Sequence, residues 1–121
     1  MITYTIECLP EDIEVRGNAA VSGDDAFDKE VEDSILADLE RGNDWAWCFV
    51  CVTASLTVDN VTFTGTDNLG CCSYKSEKDF CKPGGYFDSM KEQARAMLRV
   101  DLQTAIERGQ VAVLALSEVE K

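Results

Sequence analysis

The chain predicts an α+β fold: a single domain over residues 1–121 in which an antiparallel sheet is covered by two helices. Short stretches of period-two alternation, led by Thr3-Tyr4-Thr5-Ile6-Glu7-Cys8, read as strands. Two longer segments, Asp24 to Arg41 and Tyr86 to Arg108, carry apolar residues at helical spacing. With 121 residues, 45% of them apolar, there is material for one core and not for two.

Taken in order, the first strand would place Tyr4, Ile6 and Cys8 on one face, and Pro10 closes it. Arg16-Gly17-Asn18 and Ser22-Gly23 read as irregular connection. In the first helix Phe27, Val31, Ile35 and Leu39 recur every four residues, Ser22 or Asp24 stands ready to cap the first turn, and Gly42 marks the stop. Trp45 to Val58 is aromatic and β-branched, with both alternating sets apolar as far as Val52, and predicts a central strand. Asp59-Asn60 is a two-residue turn signal and Val61-Thr62-Phe63-Thr64 the returning arm of a hairpin. Gly65 to Gly85 shows no sustained period apart from a helical turn around Ser76 to Lys82. A connection that long is either functional or hides an element. The second helix should stop at Gly109, Val111 to Leu116 should form a last strand, and residues 117–121 a frayed tail. That order, βαββαβ, is the ferredoxin-like arrangement.

Charge is the strongest compositional signal. The chain has 23 acidic and 11 basic residues, a net charge of −12. Met1 to Asp44 carries 13 of the acids against only Arg16, Lys29 and Arg41. Such a field repels phosphate, which argues against direct binding of nucleic acid or an anionic membrane and favours a basic partner. No run approaches the roughly 20 apolar residues of a membrane span, and the first residues lack a secretory signal, so the expected compartment is the cytoplasm.

The absence of histidine removes the commonest general base and the usual partner of a nucleophilic Ser or Cys, so no enzyme activity and no cofactor are expected. Cys48-Phe49-Val50-Cys51 has C-x-x-C spacing, but on a strand residues three apart point to opposite faces and the thiols should diverge. In a reducing cytosol the six cysteines read as buried apolar groups; if any metal is held, Cys48, Cys71, Cys72 and Cys81 would hold it. Lys82-Pro83-Gly84-Gly85 lacks the P-loop pattern and reads as a loop leading into a helix. The acidic helix is the expected partner-binding element. Asp25, Glu32, Asp33 and Glu40 would project away from the apolar stripe and spread charge over roughly 22 Å at 1.5 Å per residue, a row that imitates a phosphate backbone.

At Trp45-Ala46-Trp47-Cys48, Asp67-Asn68-Leu69-Gly70-Cys71-Cys72-Ser73-Tyr74 and Gly85-Tyr86-Phe87-Asp88-Ser89-Met90 the chain resembles a group of small acidic proteins encoded in tailed phages and prophages. Pro10-Glu11-Asp12, Arg16-Gly17-Asn18-Ala19 and Ser22-Gly23-Asp24-Asp25 extend the resemblance over residues 1 to 100. It transfers no site residues; what it implies is a protein made inside an infected bacterium from an accessory region. The expected function is then a non-enzymatic, phage-encoded protein that binds a basic host protein. Its target would be a nucleic-acid-handling or defence complex such as CRISPR interference. The alternative is a zinc- or thiol-stabilised interaction module.

Overall fold

Asp59 and Asn60 both adopt positive φ, 50° and 66°, which gives a two-residue turn whose twist suits a β-hairpin. On either side of it, in a computed structural model that describes residues 1–121, run β2 (Cys48–Val58) and β3 (Val61–Cys72), with Val58 opposite Val61. The first strand, β1 (Thr3–Pro10), pairs antiparallel with the other side of β2, so the sheet order is β1-β2-β3. Helix α1 (Asp25–Glu40) and a single 3-10 turn (Asp44–Ala46) lie between β1 and β2. The one-turn helix α2 (Glu77–Phe80) and the long helix α3 (Tyr86–Val119) follow β3.

Alternation along β2 divides the sheet into two unlike faces. Cys48, Val50, Val52 and Ala54 are fully buried, and around them gather Cys72, Phe80, Met90, Ala94 and Leu98 as the main core. The opposite face is open and rich in threonine, with Thr53 bonded to Thr66 and Thr57 to Thr62 across the hairpin, both at 2.9 Å. Cys48 and Cys51 therefore diverge, as strand geometry requires. Helix α3 covers β3 and β2 on the core side. It approaches so closely that a Cβ at Gly65 would lie 2.0 Å from the Leu98 backbone nitrogen and 2.3 Å from the Ala94 carbonyl oxygen. The Asp101 carboxylate accepts a 3.1 Å bond from the Thr64 amide at the outer edge of β3 and fixes the helix along the strand.

Three expectations need correction, and one open alternative is resolved. The sheet has three strands, because Val111 to Leu116 continues α3 through Val119; the ferredoxin-like order is not observed. Gly109 weakens a helix by only about 1 kcal/mol, and the residues on both sides of it are good helix formers that extend an already nucleated helix. Trp45 and Ala46 belong to the 3-10 turn rather than to the central strand, since the Asn43 side chain caps that turn by accepting from Trp45 N–H at 3.2 Å. The stretch from Gly65 to Gly85 did hide structure. β3 reaches Cys72, and Ser76 caps α2, whose Phe80 anchors an aromatic cluster with Trp45, Tyr74 and Phe87 at centroid separations of 5.1 to 5.6 Å. Finally, α1 does not lie on the sheet. It packs with Val15, Ala46 and Trp47 as a second, smaller core through Ile35, with Val31 and Leu39 at its margin.

Because the obstacles around Gly65 are backbone atoms, no side chain can yield to a methyl group there. Gly65→Ala should cost about 3 kcal/mol or more, read as a fall in the urea midpoint. An unchanged midpoint would show that α3 does not ride on this strand.

Candidate partner-binding surface

The acidic segment forms a lobe beside the sheet, built from the loop after β1, from α1 and from the 3-10 turn. Its helix begins where Asp24 accepts bonds from the Ala26 and Phe27 amides at 3.1 and 3.2 Å. Asp28 is also committed, holding Ser22 through its amide at 3.1 Å and its hydroxyl at 2.6 Å. Two of the acids at the start of the helix thus serve its own N-terminus. At the far end Asp38 pairs with Arg41 and Gly42 takes a φ of 93°, the left-handed geometry that ends a helix.

Arg16 joins the loop to the helix. Its guanidinium bonds Glu32 at 3.2 Å and also pairs with Asp33, while Gly17, at a φ of 80°, donates its amide to the second Glu32 oxygen at 2.7 Å. These carboxylates, Asp33 first and then Glu32, push the Arg16 guanidinium further up.

Of the four residues expected to face a partner, Glu32 does not. It is 8% exposed and turned into the lobe. Apolar residues repeated every four positions advance by 400°, so the row from Phe27 to Leu39 drifts by about 40° per step. The buried direction settles at Ile35, which leaves Phe27 53% exposed and brings Glu32 to the packed side. Asp33 is exposed but shared with Arg16. Asp25 and Glu40 are exposed and make no ion pair, and they lie on one side of α1 with Asp33. The same side carries Lys29, which interrupts the row.

A cleft of about 260 Å³ runs where the lobe meets the sheet, lined by Cys8, Pro10, Glu11, Leu39, Asp44 and Trp47. Two of its walls are structural ties. The Trp47 indole donates to the Ile13 carbonyl at 2.7 Å. One Glu11 oxygen accepts from the Cys71 amide at 3.1 Å and the other from the Ile13 amide at 3.3 Å. The Cys71 contact matters because β3 carries two residues, Gly70 and Cys71, opposite Phe49 of β2, and Cys71 sits at a φ of 55°. The Glu11 carboxylate meets an amide that this bulge turns out of the ladder.

The four cysteines named as possible metal ligands are not brought together as a set. Cys48 and Cys72 face each other in the core, Cys71 is exposed on the bulge and Cys81 lies beyond α2. No group of three or more Cys, Asp or Glu side chains is arranged to hold a metal ion. Sequence reasoning missed a different grouping: Cys8 lies beside Cys48, whose thiol also senses Cys72. Burial is the main cause that pushes these thiols up, Cys72 to about 11 and Cys48 further still. Neither forms an appreciable thiolate near neutral pH.

Comparison with family models, with curated proteins and with solved structures returns no match to this chain. The functional reading therefore rests on the side chains just described.

Two outcomes check this geometry. Glu32→Ala removes the acceptor of both Arg16 and Gly17 and should cost about 2 kcal/mol, whereas Asp25→Asn and Glu40→Gln should each stay within about 0.5 kcal/mol. Equal effects from all three in thermal unfolding would contradict the assignment of Glu32 to the interior. In thiol labelling at pH 8, Cys71 should react first, and Cys48 and Cys72 only as fast as the protein opens. Prompt labelling of all six would show that the cluster is not sealed.

Proposed function

We propose that the chain is a non-enzymatic binding protein, phage-encoded and acting in the host bacterial cytoplasm. Its acidic lobe occupies a basic groove on a host nucleic-acid-handling or defence complex. The observation that supports this reading is the segregation of charge. The acids of Met1 to Asp44 are concentrated on a separately packed lobe, and two of the three cations there, Arg16 and Arg41, are consumed by internal pairs. What faces outward is strongly negative, and a groove shaped for a phosphate backbone offers the complementary field. Asp25 and Glu40 carry the contact, with Asp33 contributing through its exposed side. Glu32 holds the shape of the lobe and does not touch the partner.

The test is affinity capture from bacterial lysate with the tagged chain, at low and high salt, alongside a variant carrying Asp25→Lys and Glu40→Lys. The wild type should retain a basic protein that high salt releases, and the double variant should not retain it. Retention that resists salt and survives both reversals would refute electrostatic occupation.

A further inference from the structure

Helix α3 is 34 residues long, about 51 Å at 1.5 Å per residue, yet its packing against the sheet ends near Leu102. Beyond that point it projects with its apolar side chains uncovered. Ile106, Val113 and Leu116 are each more than half exposed, and so are Val111 and Leu114 on the other sides of the helix. From Val111 to Leu116 every residue is apolar, so this stretch is apolar all round, the mark of a helix enclosed from more than one direction.

The order of residues on one flank says what encloses it. Starting from Arg95, steps of four and three lead through Arg99, Leu102, Ile106, Gly109, Val113 and Leu116 to Glu120. This is an unbroken heptad seam, basic at one end and acidic at the other. A second copy laid antiparallel pairs the charged ends of the seam in one register. Arg95 then meets Glu120 of the second copy, Arg99 lays its aliphatic stem along Leu116, Leu102 meets Val113, and Ile106 fills the space left by Gly109, which has nothing within 4 Å of its missing side chain. A parallel pair would instead set Arg95 against Arg95 and Glu120 against Glu120.

The sheet offers the matching floor. Asp101 reaches over the outer edge of β3 to the Thr64 amide, so the seam, turned about 60° to 160° from Asp101, looks inward over β2 and β1. There the core-facing side chains of β1, Tyr4 and Ile6, together with Ile2 before them, are only half-buried, because α3 covers β3 and β2 alone. We infer that the protein is a two-fold dimer in which the projecting end of α3 from each copy lies antiparallel along α3 of the other and covers the bare core face of its β1. The arrangement encloses Val111 to Leu116 between helix and sheet. Lys91, Arg95, Arg99 and Arg108 keep this contact from the repulsion that the acidic lobe would create. It does not depend on the proposed function, since the dimer surface and the α1 face share no residue.

The experiment is sedimentation velocity of the full chain at concentrations up to about 100 µM, well above the dissociation constants of specific interfaces. The expected species has twice the 13.3 kDa mass of the chain. Val113→Glu and Leu116→Glu, each on a surface that the monomer leaves exposed, should convert it to monomer while the near-ultraviolet signal of Trp45 and Trp47 is kept. Arg95→Glu or Glu120→Arg alone should weaken association about tenfold, and the two together should restore it. A wild-type monomer at the highest concentration, which would leave the projecting helix to a different protein, overturns the inference. So does a dimer indifferent to both glutamate substitutions. Failure of the paired charge reversal to restore association overturns the antiparallel register.

Discussion

The structure depends on the backbone-to-backbone approach of α3 and β3 at Gly65. A three-stranded sheet has a single buried face, and one helix must cover most of it. The missing Cβ at Gly65 lets that helix descend until Ala94 and Leu98 touch the strand, and close packing of this kind is what turns a marginal sheet into a stable one. Everything that lies to either side follows from the choice. With α3 seated over β3 and β2, β1 keeps a half-bare core face, α1 packs beside the sheet against Val15, Ala46 and Trp47, and the far half of α3 runs past the strands.

The lobe that α1 builds instead has its own cement. Ile35, Val15, Ala46 and Trp47 supply a small apolar centre, and the Glu32 carboxylate bonds Arg16 and the Gly17 amide across a long loop. A buried carboxylate with two donors is a more specific tie than a surface ion pair, because removing either side leaves a polar group without a partner. The functional proposal inherits this division. Acids that hold the lobe in shape are distinct from acids that face solvent, and only the second kind is available to another molecule.

Much of this was legible from local pattern. A helix start capped at Ser22 or Asp24, the turn at Asp59-Asn60 and the alternation in β1 are contained within a few residues, and the structure shows the cap at Asp24, the turn and the alternation where the pattern puts them. What was not legible depends on distant partners. The bulge at Cys71 is stabilised by Glu11, 60 positions away, and nothing near Cys71 announces it. Val111 to Leu116 has the composition of a strand, but a strand needs an edge to join, whereas the helix already running through Ala105 needs only to continue. Glu32 was misread for a geometric reason: an apolar repeat of four drifts around a helix, so its buried direction is fixed by the residue that meets the lobe core, here Ile35, rather than by the row as a whole.

A rigid body of sheet and α3 carries the acidic lobe as a separately packed unit. Residue-resolved amide hydrogen exchange measures this directly. Amides of Val50 to Ala54 and of Ala94 to Leu98 should exchange last and together, at the rate of global unfolding, while those of α1 should exchange earlier and as a group of their own. If α1 were protected to the same degree as β2 and lost protection with it, lobe and body would be one cooperative unit and the division described here would be wrong.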